Sequence, residues 1–143
     1  MAATTTFTSP TTMHTKSRSG PARLWKTGLS AGIAASVATS ATAGLASAAG
    51  VPRTVAGASI PLVGFAELTF VASMIGTVLA VVLRRRSGRP RHAFVVTTAL
   101  LTVASIVPDV LADAHTATRL TLALTHLVAA AIVIPALASR LTD

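Results

Sequence analysis

Residues 60–86 read IPLVGFAELTFVASMIGTVLAVVLRRR. The run Ile60–Leu83 holds thirteen Leu, Ile, Val or Phe residues and a single charge, Glu67, before it stops at Arg84-Arg85-Arg86. A helix needs about 20 apolar residues to cross a hydrocarbon core. The apolar positions do not alternate, and a lone strand would leave its backbone groups unpaired in lipid, so the run reads as a membrane-spanning helix.

Three further apolar stretches flank it: Thr27–Ala49, Ala93–Ala112 and Thr118–Ser139. The links Gly50–Ser59, Arg84–His92 and Asp113–Ala117 are short, which makes successive helices antiparallel neighbours. The expected fold is all-α, an integral membrane four-helix up-down bundle over residues 24–143. Residues 1–23 are polar and Thr-rich, with too little apolar surface to offset chain entropy, and read as a disordered cytoplasmic tail. Met13 offers an alternative start.

Composition agrees. The 143 residues are 52% hydrophobic and only 11% charged, whereas soluble domains carry about 25% charge. Mean hydropathy is +0.70. An ordinary soluble enzyme is excluded. The formal charge of +8 would suit nucleic acid, but aromatics are 3% and Tyr is absent, so bases would have nothing to stack on. With no Cys there is no disulfide, thiolate metal site or thiol catalysis. Arg outnumbers Lys, a bias of high-GC bacterial genomes.

The first stretch is the weakest span. Its four large aliphatics, Leu29, Ile33, Val37 and Leu45, contribute only about −2 kcal/mol to insertion, against roughly −6 for the second. A rival reading makes it a signal peptide: Lys16, Arg18, Arg23 and Lys26 as the basic region, Leu29–Leu45 as the apolar region, and Ala46-Ser47-Ala48 as the cleavage site. Against this stands a ladder of small residues four apart: Gly28, Gly32, Ser36, Ser40, Gly44 and Ala48. Such ladders let helix backbones approach closely in lipid. A retained first helix, with Gly28, Gly32, Ser36, Ser40 and Gly44 as its packing face, is the favoured expectation.

Basic residues set the orientation. The amino-terminal flank carries Lys16, Arg18, Arg23 and Lys26. The second link carries Arg84, Arg85, Arg86, Arg89 and Arg91, and Arg140 follows the fourth helix. Placing these on one side leaves only Arg53 and Arg119 on the other, the positive-inside pattern with both termini cytoplasmic. Cleavage after Ala48 would not alter it. Trp25 suits an interfacial anchor. Arg84, Arg85, Arg86, Arg89 and Arg91 are candidate contacts for anionic lipid headgroups, or simply a topogenic loop.

Four polar residues fall in the outer half of the spans: Glu67, Asp109, Arg119 and His126. Thr98, Thr102, Ser105 and Asp109 share a helical face, as do Arg119 and His126. These faces are expected to meet Glu67 in one polar pocket. A carboxylate beside an imidazole can bind a cation or relay protons. The alternative is an internal lock, with Glu67 paired to Arg119 or His126 and the hydroxyls bonded to their own helices. His14, His92 and His115 read as solvated. No zinc, P-loop, dinucleotide or nucleophile-elbow motif occurs, so no metal, cofactor or enzymatic activity is expected.

Ala117-Thr118-Arg119-Leu120, His126-Leu127-Val128-Ala129-Ala130 and Ile134-Pro135-Ala136-Leu137 resemble the end of the actinobacterial DUF6069 family. The Arg84–Arg91 link is similar to it too. The resemblance covers roughly residues 25–140 and implies a four-helix membrane protein of uncharacterised function. It supplies no catalytic residues. The expected role is a small multi-pass protein of the bacterial inner membrane, structural or accessory. It would act in the lipid bilayer through helix contacts with a membrane partner or a second copy. The second expectation is a small ion- or proton-coupled transporter using the outer pocket.

Overall fold

The computed structural model describes residues 20–143. The tail expected at 1–23 lies outside the described residues up to 19, and from Pro21 onward the chain is already helical. Four helices follow: α1 Pro21–Ala48, α2 Leu62–Arg86, α3 Pro90–Leu111 and α4 Thr116–Ala138. Each is long and apolar enough to cross a membrane.

The helix ends follow local chemistry. Pro21 opens α1 and Pro90 opens α3, where a missing N–H costs nothing and φ is preset. The end of α1 is a Schellman turn. Gly50, at φ 85°, donates to the Ser47 carbonyl, and Val51 donates to that of Ala46. Arg84, Arg85 and Arg86 occupy the last turn of α2, where cations meet the negative end of the helix dipole. At the start of α3, Asp143 Oδ1 accepts from the Arg91 amide at 2.8 Å and the His92 amide at 3.3 Å. This carboxylate satisfies orphan donors and ties the end of the chain to a distant helix.

The link between α1 and α2 is more ordered than a plain loop. It forms a hairpin of β1 Thr54–Val55 and β2 Ala58–Ser59, antiparallel, with Thr54 opposite Ser59 and Val55 opposite Ala58. Ala56 and Gly57 turn the corner at φ 48° and 79°. The hairpin is fastened to the α3–α4 link. The Ala56 amide donates to the Asp113 carbonyl at 2.9 Å, and Thr118 Oγ1 donates to that of Pro52 at 2.7 Å. Arg53 closes the base through Ser47 Oγ and the Ile60 carbonyl.

The helices pack unequally. α1 packs closely on α2 and α4, α3 rests mainly on α4, and α2 and α3 touch much less. One third (33%) of the apolar window of α1 is buried against 6% for α3, so the least hydrophobic helix is the structural centre. Its inward face is small: Ala31, Ala35, Ser36, Thr39 and Ala43 are buried. The small-residue ladder meets α2 of the same chain. Gly28 abuts Thr77, Gly32 abuts Ser73 and Met74, and Gly44 approaches Leu62. Ser36 Oγ donates to the Ala66 carbonyl at 3.0 Å, and Thr39 and Thr69 share a hydroxyl contact at 3.0 Å. The apolar core gathers at one end, where Leu24, Ala80, Phe94, Leu137 and Leu141 are buried together. Towards the hairpin end this core gives way to a cleft between α2 and α3.

Candidate functional site

Two adjoining cavities make up the cleft. The deeper, about 300 Å³, lies among α2, α3 and α4 above Phe94. The outer, about 410 Å³, lies under Val55 and Ile60 and contains Asp109. Both share Thr69, Ala72, His126 and Ala129 as lining, so they adjoin along α2 and α4. Sites for small molecules span about 300–1,000 Å³, mostly apolar with few polar groups.

Asp109 and His126 meet at the junction. His126 Nδ1 lies 2.9 Å from Asp109 Oδ2, and their side chains are 39% and 14% exposed. Nδ1 also lies 3.1 Å from the Leu122 carbonyl, one turn back on its own helix. Both neighbours are acceptors, so Nδ1 carries the ring proton. The N–H is aligned on the carbonyl, and Asp109 Oδ2 is buried with no aligned hydrogen-bond donor among the described residues. The pair is therefore a close electrostatic contact that leaves a carboxylate oxygen unsatisfied.

The direction of side chains explains the meeting. Asp109 lies near the end of α3, whereas His126 lies ten residues into α4, about 15 Å along the axis. Helical side chains lean towards their own amino terminus. The two helices run in opposite senses here, as Asp143 beside Arg91 shows. His126 therefore leans outward, Asp109 leans inward, and the two close the gap.

The four residues expected in one pocket do not all converge. Glu67 is exposed and lines a separate groove between α1 and α2 with Ile33, Ser36, Val37 and Phe70. The cleft takes Phe65 and Thr69 from α2, and Glu67 lies midway between them, about 200° around the helix from each. Arg119 shares a face with His126 but stands about 10 Å along the axis from it. It pairs with no acid, and its Nε is buried without a partner among the described residues. The expected Glu67–Arg119 and Glu67–His126 locks are thus absent among the described residues. The polar lines do face the cleft: Thr98, Thr102 and Ser105 line it, each hydroxyl bonded to a carbonyl of its own helix.

Of the remaining candidates, the packing residues Gly28, Gly32, Ser36, Ser40 and Gly44 lie along the α1–α2 contact or the groove beside it. Arg85, Arg86, Arg89 and Arg91 are exposed at the α2–α3 link, whereas Arg84 is half-buried, with Nη1 unpartnered among the described residues. No cluster of three or more His, Asp or Glu suited to a metal occurs among the described residues.

A family model for a family of unknown function, DUF6069, matches residues 19–143. The chain belongs to DUF6069. No curated protein and no solved structure matches it. For this DUF6069 member the membership agrees with a small protein of four apolar helices and names no activity.

The hairpin over the outer cavity was not expected from the sequence. Its turn is Ala56-Gly57 where the usual cue is Asn-Gly. Gly57 was the only signal available.

Proposed function

We propose that the chain is a multi-pass protein of a bacterial cell membrane, with four spans in up-down order and both termini cytoplasmic, acting as a non-enzymatic accessory protein through lateral helix contacts. The observation that carries this reading is the uneven packing. The ladder of α1 is consumed by α2, while α3 is held mainly by α4 and presents Leu100, Val103 and Val107 outward. The basic residues support the orientation: the α2–α3 link and Arg140 lie at the end of the bundle where Asp143 caps α3. The chain has no Cys, so single cysteines placed at Leu100 on α3 and Ile33 on α1 give a clean crosslinking test in native membranes. Crosslinks from position 100 and none from 33 are expected. The reverse pattern refutes α3 as the contact helix.

A second reading rests on Asp109 and His126. A buried carboxylate oxygen without an aligned donor, beside an imidazole and open to a cleft, supports a cation- or proton-binding role. Flux of protons or alkali cations into vesicles carrying the full chain, compared with Asp109→Asn, tests it. Identical flux removes this reading.

A further inference from the structure

The cleft has a chemical polarity of its own. Its lining hydroxyls have already spent their protons. Ser73 donates to the Thr69 carbonyl, Thr98 to that of Phe94, Thr102 to that of Thr98, Ser105 to that of Thr102, and Thr125 to that of Leu122. Thr39 donates to the Ser36 carbonyl, so in the Thr39–Thr69 contact Thr69 is the donor. What these groups still offer the cavity is lone pairs. His126 uses Nδ1–H on Leu122, and in that tautomer of a neutral imidazole Nε2 is an acceptor. Asp109 Oδ2 is an acceptor with no aligned donor. The rest of the lining is Ala, Leu, Ile, Val, Phe, Pro and Gly.

Such a site selects by mismatch. A phosphate, carboxylate or carbonyl would find no donor, and burying it unpaired is costly. A bare alkali ion would satisfy Asp109 but make no use of the apolar lining beyond it. A protonated amine has donors and no acceptors, and its charge opposes that of a carboxylate. An apolar body attached to it fills the deeper cavity. We propose that the α2–α3 cleft binds a lipophilic primary amine, its ammonium on Asp109 and its apolar body extending towards Gly76 and Val133, about 10 Å away along the axis. This deepens the cation-site reading and rests on it. The sparse contact between α2 and α3 gives the ligand a lateral way in.

The test uses the full chain in lipid nanodiscs, with empty discs as background for partitioning. A terminally fluorinated linear alkylamine, long enough to span that distance, and the matching alcohol are titrated and read by fluorine NMR. The amine is expected to bind saturably and roughly tenfold or more tighter than the alcohol, the difference that a charged hydrogen bond makes. Asp109→Asn should erase that preference. Should Asp109→Asn fail to fold, Gly76→Leu serves instead: a Cβ at Gly76 has nothing within 4 Å, so the new side chain enters the cavity without displacing packed atoms. It should abolish saturable binding of both probes while the helices stay intact. Equal affinity for amine and alcohol, or no saturable amine binding, overturns the proposal. If amine binding fails while cation or proton flux in vesicles still depends on Asp109, only the amine is wrong. If both fail, the cation site falls with it.

Discussion

Replacing Gly28 by Ala adds one methyl group at the tightest point of the bundle. The new Cβ would overlap Thr77 Oγ1 and stand 2.6 Å from its Cγ2 and 2.8 Å from its Cβ. Carbon atoms ordinarily touch at about 3.5 Å or more. Rotating Thr77 cannot help, because its Cβ is fixed by the backbone and its hydroxyl is held on the Ser73 carbonyl at 2.8 Å. Thr77 is 0% exposed and has no free space to enter. The helices must therefore part by about 1 Å, which also loosens Gly32 against Ser73 and Met74. Overpacking of this kind costs about 1–3 kcal/mol. Gly→Ala in a helix returns at most about 1 kcal/mol through backbone propensity. The net expectation is a loss of about 1–2 kcal/mol, read by titrating the purified protein in mixed micelles with dodecyl sulfate. Gly76→Ala is the control, since a Cβ there meets nothing, and it should be neutral or stabilising by up to about 1 kcal/mol. Gly28→Ala with Thr77→Gly should be less destabilised than the sum of the two single variants, a coupling visible only between residues in contact. If Gly28→Ala is as stable as Gly76→Ala, Gly28 does not face α2. If it changes the oligomeric state and leaves stability intact, the ladder serves a second copy.

Asp143→Ala removes the carboxylate from the amino end of α3 and should cost about 1 kcal/mol in the same titration, with Asp143→Asn losing less. Ala56→Gly relieves an alanine held at positive φ and should stabilise by about 1 kcal/mol, whereas Ala56→Val should destabilise. Asp109→Asn and His126→Gln, alone and together, should show a coupling near about 0.6 kcal/mol, typical of interhelical polar contacts in membranes; additivity would mean that the two do not touch. Amino-terminal sequencing of the membrane-inserted protein should find α1 retained, because Leu24, Ala31 and Ala35 belong to the core; a start at Ala49 would refute that.

Hydropathy makes the four helices legible, since an apolar run of about 20 residues placed in lipid would have only one way to satisfy its backbone. Sequence boundaries were short at the amino end of α1 because Leu24 and Trp25 stand among charges, and Pro21 was a better start signal than hydropathy. The ladder was legible as a packing face, but its occupant was not, because periodicity says which residues share a stripe and not what lies against it. The polar pocket expected from the sequence rests on axial depth alone. That was enough to place Asp109 and His126 at one end. It could not show that Glu67 turns away from Thr69 and Phe65, since rotation about the helix axis is invisible until a neighbouring helix defines a direction.

Composition and hydropathy therefore settle what is additive along the chain: the number of long apolar helices, their lengths and the basic flanks between them. The tertiary structure decides what depends on pairs. Close approach at Gly28 draws α1 onto α2, Asp143 and the hairpin fasten the two ends, and α3 is left standing off α2. The cleft arises from that unequal packing, and with it the Asp109–His126 contact. The physical reason is that apolar character is a property of each segment, whereas fit between helices is a property of two surfaces at once.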